Sequence, residues 1–272
     1  MDQIPFDFRD SICSLVTTDV LPKIALLGKR AWAALGNLHD ENRREFSFSL
    51  LIKKKSDLFR WAIYDSSSTI TSFRNLNPRF DQIRIITDCW AMGNPRREQR
   101  IDSLHCVLRN VWMCLQDGNA MTSANKLFQE TLLEHNLPRQ FSRLYLTYAG
   151  ACTEKILAAQ DKRKLEACIL RKWPKDVSDD LWALLKSPDL HYLWLVNSSL
   201  HGFSTEMLQF YIDNAISGYY KNDLQIQISD AQVDLTAIRS DDLIESTENE
   251  LMFENLSVEK CDNGNLCSYF ER

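Results

Sequence analysis

The sequence predicts a mixed α/β chain in which a small helical module leads into a strand–helix solenoid. Three observations predict it. Residues 4–45 carry apolar side chains at helical spacing, the apolar period becomes two from residue 46, and a strand-then-helix pattern recurs from residue 141.

Phe8, Ile12 and Leu15 recur at the spacing of one helix face. Leu21, Ile24, Leu27 and Leu35 continue it after Pro22, which suits a helix start. In "REFSFSLLIKKKSDLFRWAIYD" the period changes. Phe46, Phe48 and Leu50 alternate with other residues, as do Phe59, Trp61 and Ile63, and "KKKSD" joins the two runs as a hairpin. "DQIRIIT", 81–87, reads as a further strand. Residues 96–116 read as one helix with Ile101, Leu104, Leu108, Val111, Trp112 and Leu115 on a broad stripe. Whether 88–140 adds repeats or forms an insertion stays open at this point.

Three hexamers then share an L-x-x-L-x-L pattern: Phe141, Leu144 and Leu146; Leu165, Cys168 and Leu170; Leu190, Leu193 and Leu195. Their middle anchors are 24 and 25 residues apart. "LQIQIS" offers a fourth strand, with Leu224 another 31 residues on. Each is followed by a helical segment, and Ser204 is a candidate N-cap for the one after the third. A strand, a turn and a helix every 24–25 residues is the arithmetic of leucine-rich repeats, whose units bury their inner faces only by stacking. The chain closes on "ENELMFENLSVEKCDNGNLCSYFER", where Asn263-Gly264 predicts a two-residue hairpin turn. That turn sets Cys261 opposite Leu266 rather than Cys267.

Composition narrows the function classes. Hydrophobic residues at 44% of the chain suffice for a sizeable core, and only 8 glycines disfavour glycine-rich phosphate loops. Residues 229–272 hold eleven acids and three bases, leaving twenty-six acids and twenty-nine bases in the rest. Neither part is basic enough to make nucleic acid the expected partner. "MDQIPFDFRD" has no basic region followed by an apolar one, and no apolar run approaches a membrane span, so no membrane partner is expected. Eight cysteines lack paired spacing, and Cys13, Cys106, Cys114 and Cys168 stand in apolar settings. Buried free thiols in a reducing compartment, cytoplasmic or nuclear, are the expectation.

Residues 4–32, "IPFDFRDSICSLVTTDVLPKIALLGKRAW", resemble an F-box, a three-helix module of about forty residues. The matching positions are Ile4-Pro5, Phe8, Ile12, Leu15, Leu21, Ile24, Leu27, the "GKRAW" step and Trp32. Phe6 stands where an acidic residue is usual, and Gly28 where a valine or cysteine is common. The rest of the chain looks like the repeat-bearing, lineage-expanded F-box families of nematodes. The resemblance implies a substrate-recruiting adaptor of a cullin–RING ubiquitin ligase. Ile4, Pro5, Phe8, Ile12, Leu15, Leu21, Ile24, Leu27 and Trp32 would dock on a Skp-type linker protein. The alternative is that residues 4–45 cap a stand-alone repeat scaffold.

In a leucine-rich repeat the residues between the leucines point away from the core. They are Arg143, Tyr145 and Thr147; Ala167, Ile169 and Arg171; Tyr192, Trp194 and Val196; Asp223, Gln225 and Gln227. Strands lie about 4.8 Å apart, so these positions form one patch. Tyrosine, tryptophan and arginine dominate interface energetics, so Arg143, Tyr145, Arg171, Tyr192 and Trp194 are the expected contacts to an unidentified protein substrate. The competing expectation is that the acidic tail folds back over this face and covers Trp194.

Enzyme chemistry finds little support. The five histidines show no metal-ligand spacing, and no catalytic residue, metal or cofactor is expected. His105 and Cys106 are adjacent, about 100° apart on a helix, and are not expected to share a proton. Phosphate-loop, dinucleotide and G-x-S-x-G motifs are absent. A cysteine-dependent hydrolase would need a cysteine and a histidine within about 3–4 Å in a cleft. "KKK" at 53–55 and "RR" at 96–97 read as solvated loops, and 241–254 lacks the ligand order of a calcium loop. The expected organisation is α/β: an F-box-like three-helix module over 1–45, an irregular leucine-rich-repeat-like strand–helix solenoid over 46–228, and an acidic tail with a terminal hairpin over 229–272.

Overall fold

A computed structural model of the chain describes residues 4–16, 20–27, 30–53, 58–77, 79–88, 98–100, 103–135, 140–198, 201–261 and 265–270. The protein is mixed α/β and divides into two compact units, 1–119 and 120–272. The expected boundaries after residues 45 and 228 do not coincide with this division.

The first unit opens with α1 (Phe6–Leu15), α2 (Leu21–Ala25) and α3 (Arg30–Asn42). Their common core is Cys13, Leu21, Ile24 and Leu35, with Val16, Val20, Trp32 and Leu38 packed against it. Pro22 near the start of α2 loses no helical hydrogen bond there. Gly36 lets α3 lie directly on α2. A methyl group at Gly36 would sit 2.9 Å from the Ala25 nitrogen and 3.1 Å from the Leu21 oxygen, both immovable backbone.

One residue, Arg43, separates α3 from β1 (Arg44–Lys53). Its guanidinium donates to the carbonyl oxygens of Cys13, at 2.5 Å, and Val16, near the end of α1. Both carbonyls lie at the C-terminal end of α1, and a cation suits the negative end of the helix dipole. β1 pairs antiparallel with β2 (Leu58–Tyr64), as expected, and parallel with β4 (Asp81–Thr87). β3 (Ile70–Thr71) and β5 (Glu98–Arg100) flank β2. Arg44 closes the parallel pair by a two-pronged contact to buried Asp81, Nε at 2.8 Å and Nη2 at 2.6 Å, and the Asn77 amide donates to the same carboxylate at 2.7 Å. A helix expected over 96–116 is shorter. α4 spans Leu104–Cys114, β5 precedes it, and β6 (Leu115–Ser123) follows at once. Ile101 lies outside the described residues.

The second unit contains the recurring strands. β7 (Arg143–Thr147), β8 (Ala167–Arg171), β9 (Tyr192–Val196) and β10 (Gln225–Ile228) are parallel neighbours in that order. α6 (Ala151–Ala158), α7 (Ser178–Leu185) and α8 (Thr205–Ile216) each follow a strand. The register aligns Leu144, Cys168 and Leu193, the three anchors read from the sequence. Burial pushes the Cys168 thiol up to about 12, so it acts as a small apolar plug. Ser204 Oγ accepts from the Met207 amide at 3.3 Å, the expected N-cap of α8.

The repeat starts one unit earlier than its leucines suggest. β6 pairs parallel with β7, setting Met121 beside Leu144, and α5 (Lys126–Glu134) follows with Asn125 as N-cap. Met121 and Ser123 hold the inward positions, both buried. At the other end Ile226, not Leu224, stands beside Leu193, because the fourth strand reads L-x-I-x-I and is one residue tighter. Past three strands a non-glycine residue turns through the left-handed region: Lys172 at φ 55°, Asn197 at 51° and Asp230 at 54°. Hydrogen bonds knit successive turns, from the Trp173 amide to Ser198 Oγ at 3.0 Å and from the Asn197 amide to Ser229 Oγ at 3.1 Å.

The acidic segment is part of this sheet. β11 (Glu245–Ser246), β12 (Glu250–Met252), β13 (Leu256–Lys260) and β14 (Leu266–Phe270) run antiparallel, and β14 pairs with β10. The hairpin sets Lys260, not Cys261, opposite Leu266, so its loop is one residue longer than an Asn-Gly turn requires. Residues 262–264 lie outside the described residues. Ser268 faces inward beside Ile226, where its Oγ accepts the Ile226 amide at 3.0 Å and lies 2.8 Å from buried Tyr211 Oη. Among the described residues no helix is long and apolar enough to cross a membrane.

Two substitutions test this packing. Gly36→Val drives α2 from α3 and lowers stability by about 1–3 kcal/mol, seen as a lower midpoint in chemical denaturation. Ser268→Ala leaves a buried amide unpartnered and costs about 1–3 kcal/mol in the same assay, whereas Ser268→Thr keeps the acceptor.

Candidate functional site

The outward positions of the second unit share one face. The register places Thr122, Tyr145, Ile169, Trp194, Gln227, Cys267, Glu259 and Glu250 side by side. The parallel row beside it holds Arg143, Ala167, Tyr192 and Gln225. Thr147, Arg171 and Val196 form a third. Tyr192 is 41% exposed and Tyr269, two residues along from Cys267, 49%. Trp194 and Tyr145 are half-buried, and Arg143 and Arg171 are exposed. Ala167 and Ile169 point outward too but are buried, because large neighbours flank them on both sides. Tyr192 meets the Trp194 ring edge-on, with centroids 5.9 Å apart. All five expected contacts, Arg143, Tyr145, Arg171, Tyr192 and Trp194, therefore lie on one surface.

Charge is graded across that surface. Arg143 and Arg171 stand at one end, Glu259 and Glu250 at the other. Arg143 Nε pairs with Glu166 Oε2 at 3.3 Å, and no ion pair holds Arg171 among the described residues. The tail does not fold over Trp194 in its described residues. It extends the sheet sideways through β14, which leaves the aromatic centre open. Cys267 beside it, then burial and nearby Cys261 and Glu259, push the Tyr269 phenol up to about 12. Asp223, expected on this face, is exposed just ahead of β10.

At the margin beyond Arg171, Tyr148 donates to Glu154 Oε1 at 2.6 Å and Lys175 Nζ sits 2.8 Å from the same oxygen. These contacts, Lys175 first, hold the Glu154 carboxyl below its usual range. Tyr148 also meets the buried Trp173 ring edge-on at 5.2 Å.

The first unit treats its expected linker contacts unequally. Leu21 is fully buried and Ile24 is 8% exposed, so both hold the helices together rather than face a partner. Ile4, Ile12 and Trp32 are half-buried, and Pro5 is exposed. The Leu15 side chain lies outside the described residues. Phe8 is 56% exposed and Leu27 62%. Phe6 and Leu26, which spacing did not select, are 53% and 83% exposed. Their signal was an apolar residue off the helical stripe.

The helices are also fastened to the sheet of their own unit. Buried His39 Nε2 lies 2.8 Å from Asp10 Oδ1, which Arg79 Nη2 also reaches at 2.8 Å. Burial raises the Asp10 carboxyl, Arg79 and His39 lower it, and the net position is below the usual carboxylate range. Gln82 Nε2 donates to the Ser14 oxygen at 3.2 Å.

The adjacent His105 and Cys106 do meet, contrary to expectation. Their side chains bend together to put Sγ 3.1 Å from Nε2, and Cys106 is exposed rather than buried. The pair sits on the open first turn of α4. His201, by contrast, is a buried brace: Nε2 lies 2.9 Å from the Ser229 oxygen, and Nδ1 accepts the Phe203 amide at 3.0 Å. No group of three His, Cys, Asp or Glu side chains among the described residues can hold a metal ion.

The chain matches no protein-family model, no curated protein and no solved structure.

The two kinds of outward residue differ measurably. Tyr192→Ala changes unfolding free energy by no more than about 0.5–1 kcal/mol, since its ring is exposed. Ile169→Ala costs about 2–4 kcal/mol by urea titration, because the neighbours leave it a core residue in all but direction.

Proposed function

We propose that the protein is a substrate-recruiting adaptor of a cullin–RING ubiquitin ligase. In this reading α1–α3 form an F-box-like module that docks on a Skp-type linker protein. A leucine-rich-repeat-like domain holds a protein substrate on the face centred on Trp194. The observation that carries the reading is the open aromatic–arginine surface of the second unit, since such residues dominate binding energy. Phe6, Phe8, Leu26 and Leu27 supply apolar surface for the linker contact, which favours burial on a partner. Pro5 and half-buried Ile4, Ile12 and Trp32 would border it. Bond-making chemistry would belong to the partners, and the setting would be cytoplasmic or nuclear.

A second reading has its own support. The bonds from Arg43, Arg79 and Gln82 bind the helices into one compact unit with their sheet. A scaffold capped by those helices would use the same Trp194 face and meet no ligase.

Co-purification with a Skp-type linker separates them. The adaptor reading expects a stable complex that is lost in Phe8→Ala/Leu27→Ala, a variant that keeps its circular dichroism because both residues are exposed. It also expects Trp194→Ala to leave the linker complex intact while weakening substrate capture about 30-fold or more. A folded wild type that takes up no linker removes the ligase role and leaves the scaffold.

A further inference from the structure

Charge on the Trp194 face is divided between its two ends, and neither end is neutralised from within. Arg171 on β8 is exposed and holds no ion pair among the described residues. Arg143 on β7 has only its solvent-facing contact to Glu166 at 3.3 Å, which competes weakly with an added partner. At the other end exposed Glu259 on β13 stands directly opposite half-buried Glu250 on β12. Like charges set opposite each other destabilise a sheet, and no cation pairs with either among the described residues. Between the ends lie the Tyr192–Trp194 ring pair and then Gln225 and Gln227 on β10. The side-chain amides of these two glutamines hold no hydrogen bond among the described residues. Each can both donate to and accept from a peptide backbone.

An occupant that matches the whole face therefore carries charge of both signs. A polyanion such as nucleic acid would meet Glu250 and Glu259, and a uniformly basic segment would meet Arg143 and Arg171. The path from β8 to β13 runs through β9, β10 and β14. At about 4.8 Å per strand step that path is about 19 Å long. An extended chain advances about 3.3 Å per residue, so it crosses the span in about six residues with alternate side chains facing the sheet. Its backbone amides and carbonyls are open to the two glutamines, whereas a helix spends those groups on itself.

We propose that this face takes an extended segment of mixed charge, laid across the strands. A carboxylate sits at Arg171, an apolar side chain lies on Trp194 and Tyr192, and a basic side chain about six residues from the acid meets Glu259 and Glu250. The proposal rests on the reading of this face as a substrate surface and does not involve the ligase.

The test titrates the full-length protein with acetyl-Asp-Ala-Leu-Ala-Gln-Ala-Lys-amide and with the reversed sequence, following the Trp194 indole resonance, assigned by its loss in Trp194→Phe. The expected result is a saturable shift with at least one order, weakening as salt rises. Peptides with Asn and Gln in place of the charges, with Asp at both ends, with Lys at both ends, or shortened to acetyl-Asp-Leu-Ala-Lys-amide bind about 5-fold more weakly or worse. The exposed charges supply the control on folding, checked by circular dichroism. Arg171→Glu shifts the preference to the peptide with Lys at both ends, and Glu259→Lys to the one with Asp at both ends. Equal binding of the neutral peptide, or preferences unchanged in the folded variants, overturns the proposal and leaves the face a binding surface of another kind. No Trp194 shift with any peptide at ~5 mM overturns it and removes Trp194 as a peptide anchor as well.

Discussion

One buried row holds the second unit together. Met121, Leu144, Cys168, Leu193, Ile226, Ser268, Val258 and Leu251 follow one another across eight strands, five parallel and three antiparallel. All are buried. A strand slipped by one residue would turn its entire apolar set to the other face, so this row fixes the register of its neighbours as well. Ser268 is the polar exception. It is tolerated because it accepts the Ile226 amide across the junction of parallel and antiparallel strands, and Tyr211 anchors it from the helix layer.

The outward aromatic face is a consequence of that row. Once the leucines point inward, alternation sends Tyr145, Trp194 and Arg171 outward, whatever they bind. Parallel pairing then sets these side chains, distant in sequence, next to one another. The grading from arginine to glutamate follows from the way the tail joins. Its strands continue the sheet past β10, so its acids become one end of the face rather than a cover over it.

The first unit depends on close approach. Gly36 admits the α2 backbone, and Arg43 satisfies the end of α1 from the base of the first strand. Leu21 and Ile24 are drawn inside by that packing. Among the described residues of its helical segment, the large apolar side chains left most exposed are Phe6 and Phe8 in the first turn of α1 and Leu26 and Leu27 just past α2.

The sequence by itself determined the helical start, the hairpin around 53–58, the strand at 81–87 and the recurring strands from 141, because alternation and spacing are written in residue order. It also placed Arg143, Tyr145, Arg171, Tyr192 and Trp194 on one face, since parity along a strand survives any detail of packing. Tertiary structure decided the rest. It added a strand–helix unit marked by Met121 and Ser123 instead of leucines, because burial depends on neighbours and not on residue name. It moved the fourth anchor to Ile226 and ended the helix at Cys114, where the chain passes at once into β6, whose far end pairs with β7. It brought His105 to Cys106 through side-chain rotation, which backbone spacing does not specify. The space lined by Ile216, Phe253, Leu256 and Phe270 came last: only the folding of the tail puts residues so far apart in sequence around it.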